Sequence, residues 1–140
     1  MRLFLDANVL FTAAISEQGV SRGITDLARA GACVLLSSAY AIDEATRNVH
    51  IKYLRHVIEL EAILEHVERV SEPGPRHLVQ ARALVHPKDV PILGAAMAAG
   101  VDILVTGDRR HFGDLYGRIV GTAEVLPPRQ ALERIIAGRS

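Results

Sequence analysis

The sequence predicts an α/β fold in which helices pack against a central, mostly parallel sheet. Short apolar stretches at residues 2–5, 32–36 and 103–105 have the length and composition of buried strands. Longer stretches with helical spacing of apolar residues lie between them, and strands that alternate with helices in this way are typical of a parallel sheet. We therefore expect a layered α/β domain in which the ends of several strands meet at one edge of the sheet.

The composition is that of a globular protein. The 140 residues are 49% hydrophobic and 23% charged with a formal net charge of zero, which suits one domain over residues 1–140. A neutral chain needs a local basic patch to bind nucleic acid. The single cysteine, Cys33, lies in an apolar run and is expected to be a buried core thiol. Asp6 and Asn8 interrupt the apolar N-terminus, and Asp102 interrupts the longest apolar stretch. We therefore expect no secretion signal and no membrane span, and a cytoplasmic location.

The first half of the chain is predicted to hold three strands and four helices. One helix follows Asp6, a second ends at Gly31, and Ser37 or Ser38 is a good N-cap for the third. The predicted ranges are strand 2–5, helix 7–15, helix 21–30, strand 32–36, a helix from the serines to residue 54, helix 57–67 and strand 67–70.

Residues 71–75, rich in proline, form the clearest loop and precede the second half of the chain. Pro91 is acceptable only in the first turn of the helix that begins near Lys88, and Gly100 ends that helix. The predicted ranges are helix 76–85, a helix up to residue 99, strand 103–105, an edge strand at 118–120 and a last helix after Pro127 and Pro128.

Four acidic residues lie where strands end or helices begin. Asp6 follows the first strand, and Glu44 lies early in the helix after the second. Asp89 opens a later helix, and Asp108 follows strand 103–105. Taken singly, an aspartate at such a position is a favoured helix N-cap. Taken together, the four are expected to converge, because parallel strands bring their carboxyl ends, and the helices that follow them, to one edge of the sheet.

Carboxylates gathered in one pocket repel one another unless protons or a cation neutralise them. All-oxygen ligands suit Mg²⁺ or Mn²⁺, which also bind substrate phosphates directly. Such an ion lowers the pKa of a bound water and stabilises charge on a phosphodiester under attack. The acids therefore indicate metal-dependent phosphoryl chemistry.

Four features of the sequence resemble the PIN-domain nucleases, whose small bacterial and archaeal members include the toxins of VapBC-type toxin–antitoxin pairs. They are residues 5–10 (LDANVL), the lone Glu44, Asp89 followed by an Ala-rich helix, and residues 105–108 (VTGD). The resemblance covers nearly the whole chain in motif order and spacing, and the Asp-x-Asn and Thr-Gly-Asp motifs are its most specific parts. It implies a three-layer α/β/α PIN-like domain with a central, mostly parallel sheet.

The resemblance also implies the roles of individual residues. The catalytic and metal-binding acids would be Asp6, Glu44, Asp89 and Asp108. Asn8 and Thr106 would orient these acids or hold waters. Members of the family often carry a further acidic or amide residue soon after the position of Asp108. Asp114 is the nearest such residue, and it is either a further metal ligand or a surface or capping acid.

Residues next to these acids carry less specific indications. Arg109 and Arg110 directly follow Asp108, and they either contact RNA phosphates or form an exposed helix start. His111 is expected to have a surface role, because the histidines show no paired metal-ligand spacing. Asp102 lies at the start of its strand, at the opposite edge of the sheet from the four acids, and is expected to be structural.

The function expected from the residues and the resemblance is a Mg²⁺- or Mn²⁺-dependent endoribonuclease, the toxin of a VapBC-type pair. Its expected partners are RNA, as the substrate, and two proteins, an antitoxin and a second copy of the chain. The protein partners are expected because the helices between residues 40 and 67 carry more apolar residues than a single core-facing side of a helix needs. One alternative is a non-catalytic PIN-like binding module. Another is a receiver-type phosphoacceptor domain, which needs an acidic pair after the first strand and a lysine near the site. Asp6 stands alone, and Lys52 and Lys88 are expected to lie away from the site.

Overall fold

Six strands form one sheet within residues 1–138, the part of the chain that the computed structural model describes. The strands are β1 (Arg2–Leu5), β2 (Val34–Ser38), β3 (Val67–Val70), β4 (Ile103–Val105), β5 (Ile119–Val120) and β6 (Ala123–Leu126). Eight α-helices flank the sheet: α1 (Ala7–Ile15), α2 (Val20–Arg29), α3 (Ala39–Lys52), α4 (Val57–Leu64), α5 (Pro75–Arg82), α6 (Val90–Ala99), α7 (Arg109–Phe112) and α8 (Pro128–Ala137). Short 3-10 turns lie at Leu54–His56, Pro87–Asp89 and Gly113–Leu115.

The strand order is β3-β2-β1-β4-β6-β5, and only β5 runs antiparallel to its neighbour. In the centre of the sheet, Phe4 of β1 lies opposite Leu36 of β2 on one side and Leu104 of β4 on the other. The predicted three-layer α/β/α fold with a mostly parallel sheet is therefore confirmed. This order places the carboxyl ends of β1, β2, β4 and β6 at one edge, from which α1, α3, α7 and α8 continue.

The central strands are apolar along their length because helices cover both faces of the sheet. Leu3, Phe4 and Leu5 of β1 are fully buried, and the three residues of β4 are buried as well. Helix α6 is rich in alanine and lies within the same hydrophobic cluster, and Gly100 ends it with a φ of 63°, a left-handed conformation that glycine adopts without strain. The predicted buried position of Cys33 is confirmed.

The sequence-based prediction missed β6 and shifted several boundaries. Ala123–Leu126 forms an internal strand between β4 and β5, whereas only the short β5 was expected in this region. Strand β2 begins and ends two residues later than predicted, so Ser38 is both its last residue and the N-cap of α3. The helix predicted over residues 57–67 ends at Leu64, and the one predicted over 76–85 ends at Arg82.

The opposite edge of the sheet carries Asp102. Its Oδ2 accepts a hydrogen bond from the backbone N–H of Arg2 at 2.7 Å, so it supports the start of β1 as a structural residue would. Within residues 1–138, no helix has both the length and the apolar character needed to cross a membrane.

Candidate functional site

The ends of β1, β4 and β6 hold the backbone of the candidate site. The N–H of Asp6 donates to the carbonyl of Val105 at 3.0 Å, and the N–H of Thr106 donates to the carbonyl of Leu126 at 3.1 Å. These bonds extend the parallel ladders past the last strand residues. As a result, Asp6 and Thr106 lie side by side although they are 100 positions apart in the sequence.

Asp6 uses both carboxylate oxygens. Its Oδ1 accepts from the backbone N–H of Ala7 at 2.6 Å, which makes it the N-cap of α1. Its Oδ2 accepts from Thr106 Oγ1 at 2.8 Å and from Asn8 Nδ2 at 3.0 Å. The capping role and the predicted site position are thus compatible, because each uses a different oxygen of one carboxyl group.

Asn8 and Thr106 also fix the segment that leads to Asp108. Asn8 Oδ1 accepts from the N–H of Gly107 at 2.7 Å, and Thr106 Oγ1 accepts from the N–H of Asp108 at 3.1 Å. A Cβ atom at Gly107 would lie 3.1 Å from Asn8 Oδ1, so a larger residue would press on this contact. The Asp-x-Asn and Thr-Gly-Asp motifs are therefore parts of one hydrogen-bonded unit.

The electrostatic setting of Asp6 is unusual for an aspartate. Burial raises its pKa from the ordinary 3.8 to about 6, although the hydrogen bonds from Thr106 and from the N–H of Ala7 lower it. Repulsion from Asp89 and Glu44 adds to the rise in pKa. Carboxyl groups from three separate parts of the chain thus act on one another, as expected for a shared site.

The carboxyl groups of Asp89 and Asp108 both contact the imidazole ring of His111, which lies on α7. Burial raises the pKa of Asp89, while a positive charge on His111 would lower it and the charge of Asp108 raises it. Asp89 is only 8% exposed and makes no side-chain cap for α6. Asp108 is the N-cap of α7, with Oδ1 accepting from the N–H of His111 at 3.1 Å, while Oδ2 lies 3.1 Å from His111 Nδ1.

All four predicted acids line one pocket of about 430 Å³. Asn8 lines it as well, and Thr106 is fully buried beneath it. Asp114 is exposed in the 3-10 turn after α7 and does not line this pocket. Arg109 and Arg110 are exposed on α7, outside the lining of the pocket.

Several further lining residues were not assigned to the site from the sequence, and Tyr40, Lys88 and His111 are the largest polar ones among them. The expected surface role of His111 is wrong, because its side chain is 27% exposed and contacts two of the acids. Its position three residues after Asp108 was the available signal, since one turn of helix returns a side chain toward the N-cap. The expectation that Lys88 lies away from the site is also wrong, because Lys88 lines the pocket; its position directly before Asp89 was the available signal.

The residues present fit a divalent cation. The donor set is mainly carboxylate oxygen, which hard cations prefer. Asp89 Oδ2 is buried and makes no hydrogen bond within the described residues, and its one close polar neighbour is His111 Nδ1 at 2.7 Å, so this oxygen is a candidate ligand for an ion. An ion in this pocket would be held by Asp6, Glu44, Asp89 and Asp108, and it would offset both the burial and the repulsion that raise the pKa of Asp6.

Comparison with solved structures supports the fold. One similar structure is VapBC2 from Rickettsia felis bound to a DNA fragment from its promoter. It superposes with a TM-score of 0.66 at 16% sequence identity and covers 91% of this chain and 98% of that chain. PAE2754 from Pyrobaculum aerophilum superposes with a TM-score of 0.67 at 17% sequence identity, covering 98% of this chain and 96% of that chain. FitAcB from Neisseria gonorrhoeae superposes with a TM-score of 0.59 at 18% sequence identity, covering 91% of this chain and 98% of that chain.

None of the curated proteins compared with the sequence matches it significantly. The family model described as PIN domain, in contrast, matches residues 2–110, a range that includes Asp6, Glu44, Asp89 and Asp108. Because this match spans most of the chain and agrees with the fold, the protein belongs to the PIN-domain family.

Proposed function

We propose that this protein is a Mg²⁺- or Mn²⁺-dependent endoribonuclease that acts in the cytoplasm as the toxin of a VapBC-type toxin–antitoxin pair. PIN domains are generally nucleases, so family membership supports hydrolysis of nucleic acid. The choice of RNA, of these ions and of a toxin role is our proposal. The family match also sets aside the receiver-type alternative.

The observation that carries the proposal is the convergence of four carboxyl groups from both halves of the chain on one pocket. Burial and mutual repulsion raise the pKa of Asp6 to about 6. Burying a carboxyl group beside two others is unfavourable, and a bound divalent cation would offset this cost. The arrangement is therefore best explained as a site that binds a divalent cation.

In this proposal the residues of the chain divide into ligands and supports. Asp6, Asp89 and Asp108 hold the ion together with Glu44, and Thr106 and Asn8 orient the carboxyl group of Asp6. When bound, Mg²⁺ or Mn²⁺ would lower the pKa of a water molecule and stabilise the negative charge that develops at the phosphate. The exposed Arg109 and Arg110 directly follow Asp108 and would position the RNA backbone through its phosphates.

The test is cleavage of mixed RNA by the purified protein with Mg²⁺, with Mn²⁺ and with a chelator. We expect cleavage only with a metal ion, and a loss of at least about 100-fold in Asp6→Asn and Glu44→Gln. Asp43→Asn is the matched control, because Asp43 is the exposed neighbour of Glu44 on the same helix and does not line the pocket. It should retain wild-type activity.

Two results would contradict the proposal. Cleavage that persists in Asp6→Asn, or in excess chelator, would show that these acids do not hold an essential ion. A wild-type protein that binds Mn²⁺ and RNA but cuts no RNA would favour the non-catalytic binding module instead.

The toxin role implies a protein partner, and the chain has an apolar surface to offer. Ile51, Leu54 and Ile58, which we call the apolar corner, are 78%, 68% and 78% exposed at the junction of α3 and α4. We propose that an antitoxin segment covers the apolar corner, by analogy with the VapBC2 and FitAcB complexes. A homodimer remains our expectation from the sequence.

A toxin–antitoxin pair predicts a short reading frame beside the gene for this chain, and co-purification with the product of such a frame tests the partner. We expect Ile58→Asp to lose the partner while Mn²⁺ binding is retained, because the apolar corner does not line the metal pocket. Val79→Asp on α5 is the control, since Val79 is also exposed, at 62%. Retention of the partner by Ile58→Asp would rule out the apolar corner as its docking site, and sedimentation of the isolated chain would show whether it dimerises.

A further inference from the structure

His111 makes two short contacts at ion-pair distance that lack the geometry of hydrogen bonds. Its Nδ1 lies 2.7 Å from Asp89 Oδ2 and 3.1 Å from Asp108 Oδ2. Neither contact satisfies the angular requirement for a ring N–H donor, and Nδ1 of His111 and Oδ2 of Asp89 are both buried without a hydrogen bond within the described residues. The three atoms therefore crowd together without a directed bond between any two of them.

This geometry is that of neighbouring ligands on one ion. Nitrogen and oxygen ligands bind Zn²⁺ or Mg²⁺ at roughly 2.1 Å, and two such ligands at a right angle lie about 3 Å apart. The separations of Nδ1 from the two carboxylate oxygens, 2.7 and 3.1 Å, are close to that value. Asp89 is only 8% exposed, so its unbonded oxygen has little access to water as an alternative partner.

His86 lies next to this group but is a poor ligand for the same ion. His86, Asp89 and His111 each place a donor atom within 4.8 Å of the other two. However, the two imidazole rings are stacked, with centroids 4.9 Å apart and planes only 8° from parallel. Lone pairs in parallel planes cannot point at one atom. His86 Nδ1 also accepts from the N–H of Lys88 at 3.1 Å. His86 therefore packs against the ring of His111.

We propose that His111 Nδ1 is a nitrogen ligand of the ion that Asp89 and Asp108 bind, which makes the site a mixed nitrogen–oxygen site. This inference rests on the proposed function, because it concerns the same ion. Imidazole suits Mn²⁺ and Zn²⁺ better than Mg²⁺, which prefers oxygen ligands. The chain therefore selects Mn²⁺ or Zn²⁺ over Mg²⁺ through a residue that lies beyond the segment matched by the family model.

The direct test is electron spin-echo envelope modulation of Mn²⁺ bound to the metal-free wild-type protein. We expect modulation from a directly bound imidazole nitrogen, and its loss in His111→Phe, which keeps a ring for stacking on His86. His86→Phe should keep the modulation. His66→Gln is the control, because His66 is exposed and does not line the pocket. Circular dichroism checks that each variant is folded.

Titration calorimetry supplies the second measurement. We expect His111→Phe to weaken Mn²⁺ binding by roughly 10- to 100-fold and to weaken Mg²⁺ binding by less than about 3-fold. If the wild type binds Mn²⁺ but shows no modulation from a directly bound nitrogen, this inference is wrong and the proposed nuclease function is unaffected. Modulation that disappears in His86→Phe but survives in His111→Phe overturns it as well. A wild-type protein that binds neither ion overturns the proposed function and this inference together.

Discussion

Thr106 Oγ1 donates a hydrogen bond to Asp6 Oδ2 at 2.8 Å and accepts one from the backbone N–H of Asp108 at 3.1 Å. One buried hydroxyl thus connects two of the predicted acids, which follow the neighbouring parallel strands β1 and β4. Because the hydroxyl both donates and accepts, no apolar side chain of the same shape can replace it.

Thr106→Val should perturb the site without creating a cavity. Loss of the Thr106 hydrogen bond removes an interaction that lowers the pKa of Asp6, so that pKa should rise above about 6. The free energy of unfolding should fall by about 1–2 kcal/mol, because the N–H of Asp108 loses its acceptor. Carboxyl ¹³C NMR titration and urea denaturation measure the two effects.

Thr122→Val is the matched control for this substitution. Thr122 Oγ1 donates to the carbonyl of Val101 at 2.9 Å, a similar bond outside the pocket. It should lower stability slightly and leave the pKa of Asp6 unchanged. An equal change of that pKa in both variants would show that Thr106 does not act through its hydrogen bond to Asp6.

Asp6 should make the metal-free protein less stable as the pH rises. Its pKa is about 6 in the folded state and 3.8 as its ordinary value, so the folded state binds the proton more tightly. This contribution to stability is complete below pH 3.8 and is lost as the pH rises through about 6. Between pH 4.5 and pH 7.5 it amounts to roughly 2 kcal/mol. The raised pKa of Asp89 acts in the same direction.

Urea denaturation of the wild type and of Asp6→Asn at these two pH values checks the prediction. The variant should lose most of the difference, while Asp102→Asn should keep it because Asp102 lies at the other edge of the sheet. Mn²⁺ at about 100 times its Kd should restore about 2.7 kcal/mol to the wild type at pH 7.5. Identical pH dependence in the wild type and Asp6→Asn would contradict the elevated pKa.

Asp89→Asn and Asp102→Asn form a pair that separates the two edges of the sheet. The two aspartates are only 13 positions apart in the sequence: Asp89 directly precedes α6, and Asp102 lies between α6 and β4. We expect Asp89→Asn to reduce Mn²⁺ affinity and RNA cleavage by at least about 100-fold. Asp102→Asn should change either by less than twofold, because its carboxylate only accepts from the N–H of Arg2. Similar losses in both variants would refute the assignment of Asp89.

Arg109 and Arg110 should contribute to RNA binding through charge. Both are exposed on α7, directly after Asp108. Replacing both with alanine should weaken RNA binding and reduce the slope of log affinity against log salt by up to about 1.4, at about 0.7 for each lost phosphate contact with a single strand. Fluorescence anisotropy with a labelled RNA, in the presence of inactive Asp6→Asn protein, measures both quantities.

Arg76→Ala with Arg82→Ala is the matched control for charge. Both arginines are exposed on α5, which contributes no lining residue to the pocket. The control should change the affinity only slightly and leave the salt slope close to that of the parent. Equal reductions in the two double variants would mean that overall charge, and not the position of Arg109 and Arg110, determines binding.

Much of the fold was predictable because the apolar stretches of β1, β2 and β4 are buried on both faces and contain few competing signals. β6 was missed for a physical reason. Its four residues include Glu124, and their burial comes from pairing with β4 and β5, which local sequence does not show. The prediction for β5 placed it correctly as an edge strand but gave no hint of the strand that separates it from β4.

The site residues that directly follow strands could be predicted from the sequence. Those that line the pocket only because helices pack together could not. Asp6 and Asp108 each follow a strand, so parallel topology alone brings them to one edge. His111 was assigned to the surface because histidine spacing shows no ligand pair. Its contact with Asp89 depends on the turn of α7 folding back over the start of α6, which is a long-range arrangement.

The sequence by itself determined the layered fold and the order of the acids, because strand burial and the positions of polar residues at strand ends are local properties of the chain. Only the tertiary structure decided how these acids act on one another. The pKa of Asp6 is raised by burial beneath distant segments, and Asp89 Oδ2 lacks a hydrogen bond because His111 meets it at an unfavourable angle. Desolvation and directional bonding depend on positions in space, so they appear only once the parts of the chain that are far apart in sequence have packed together.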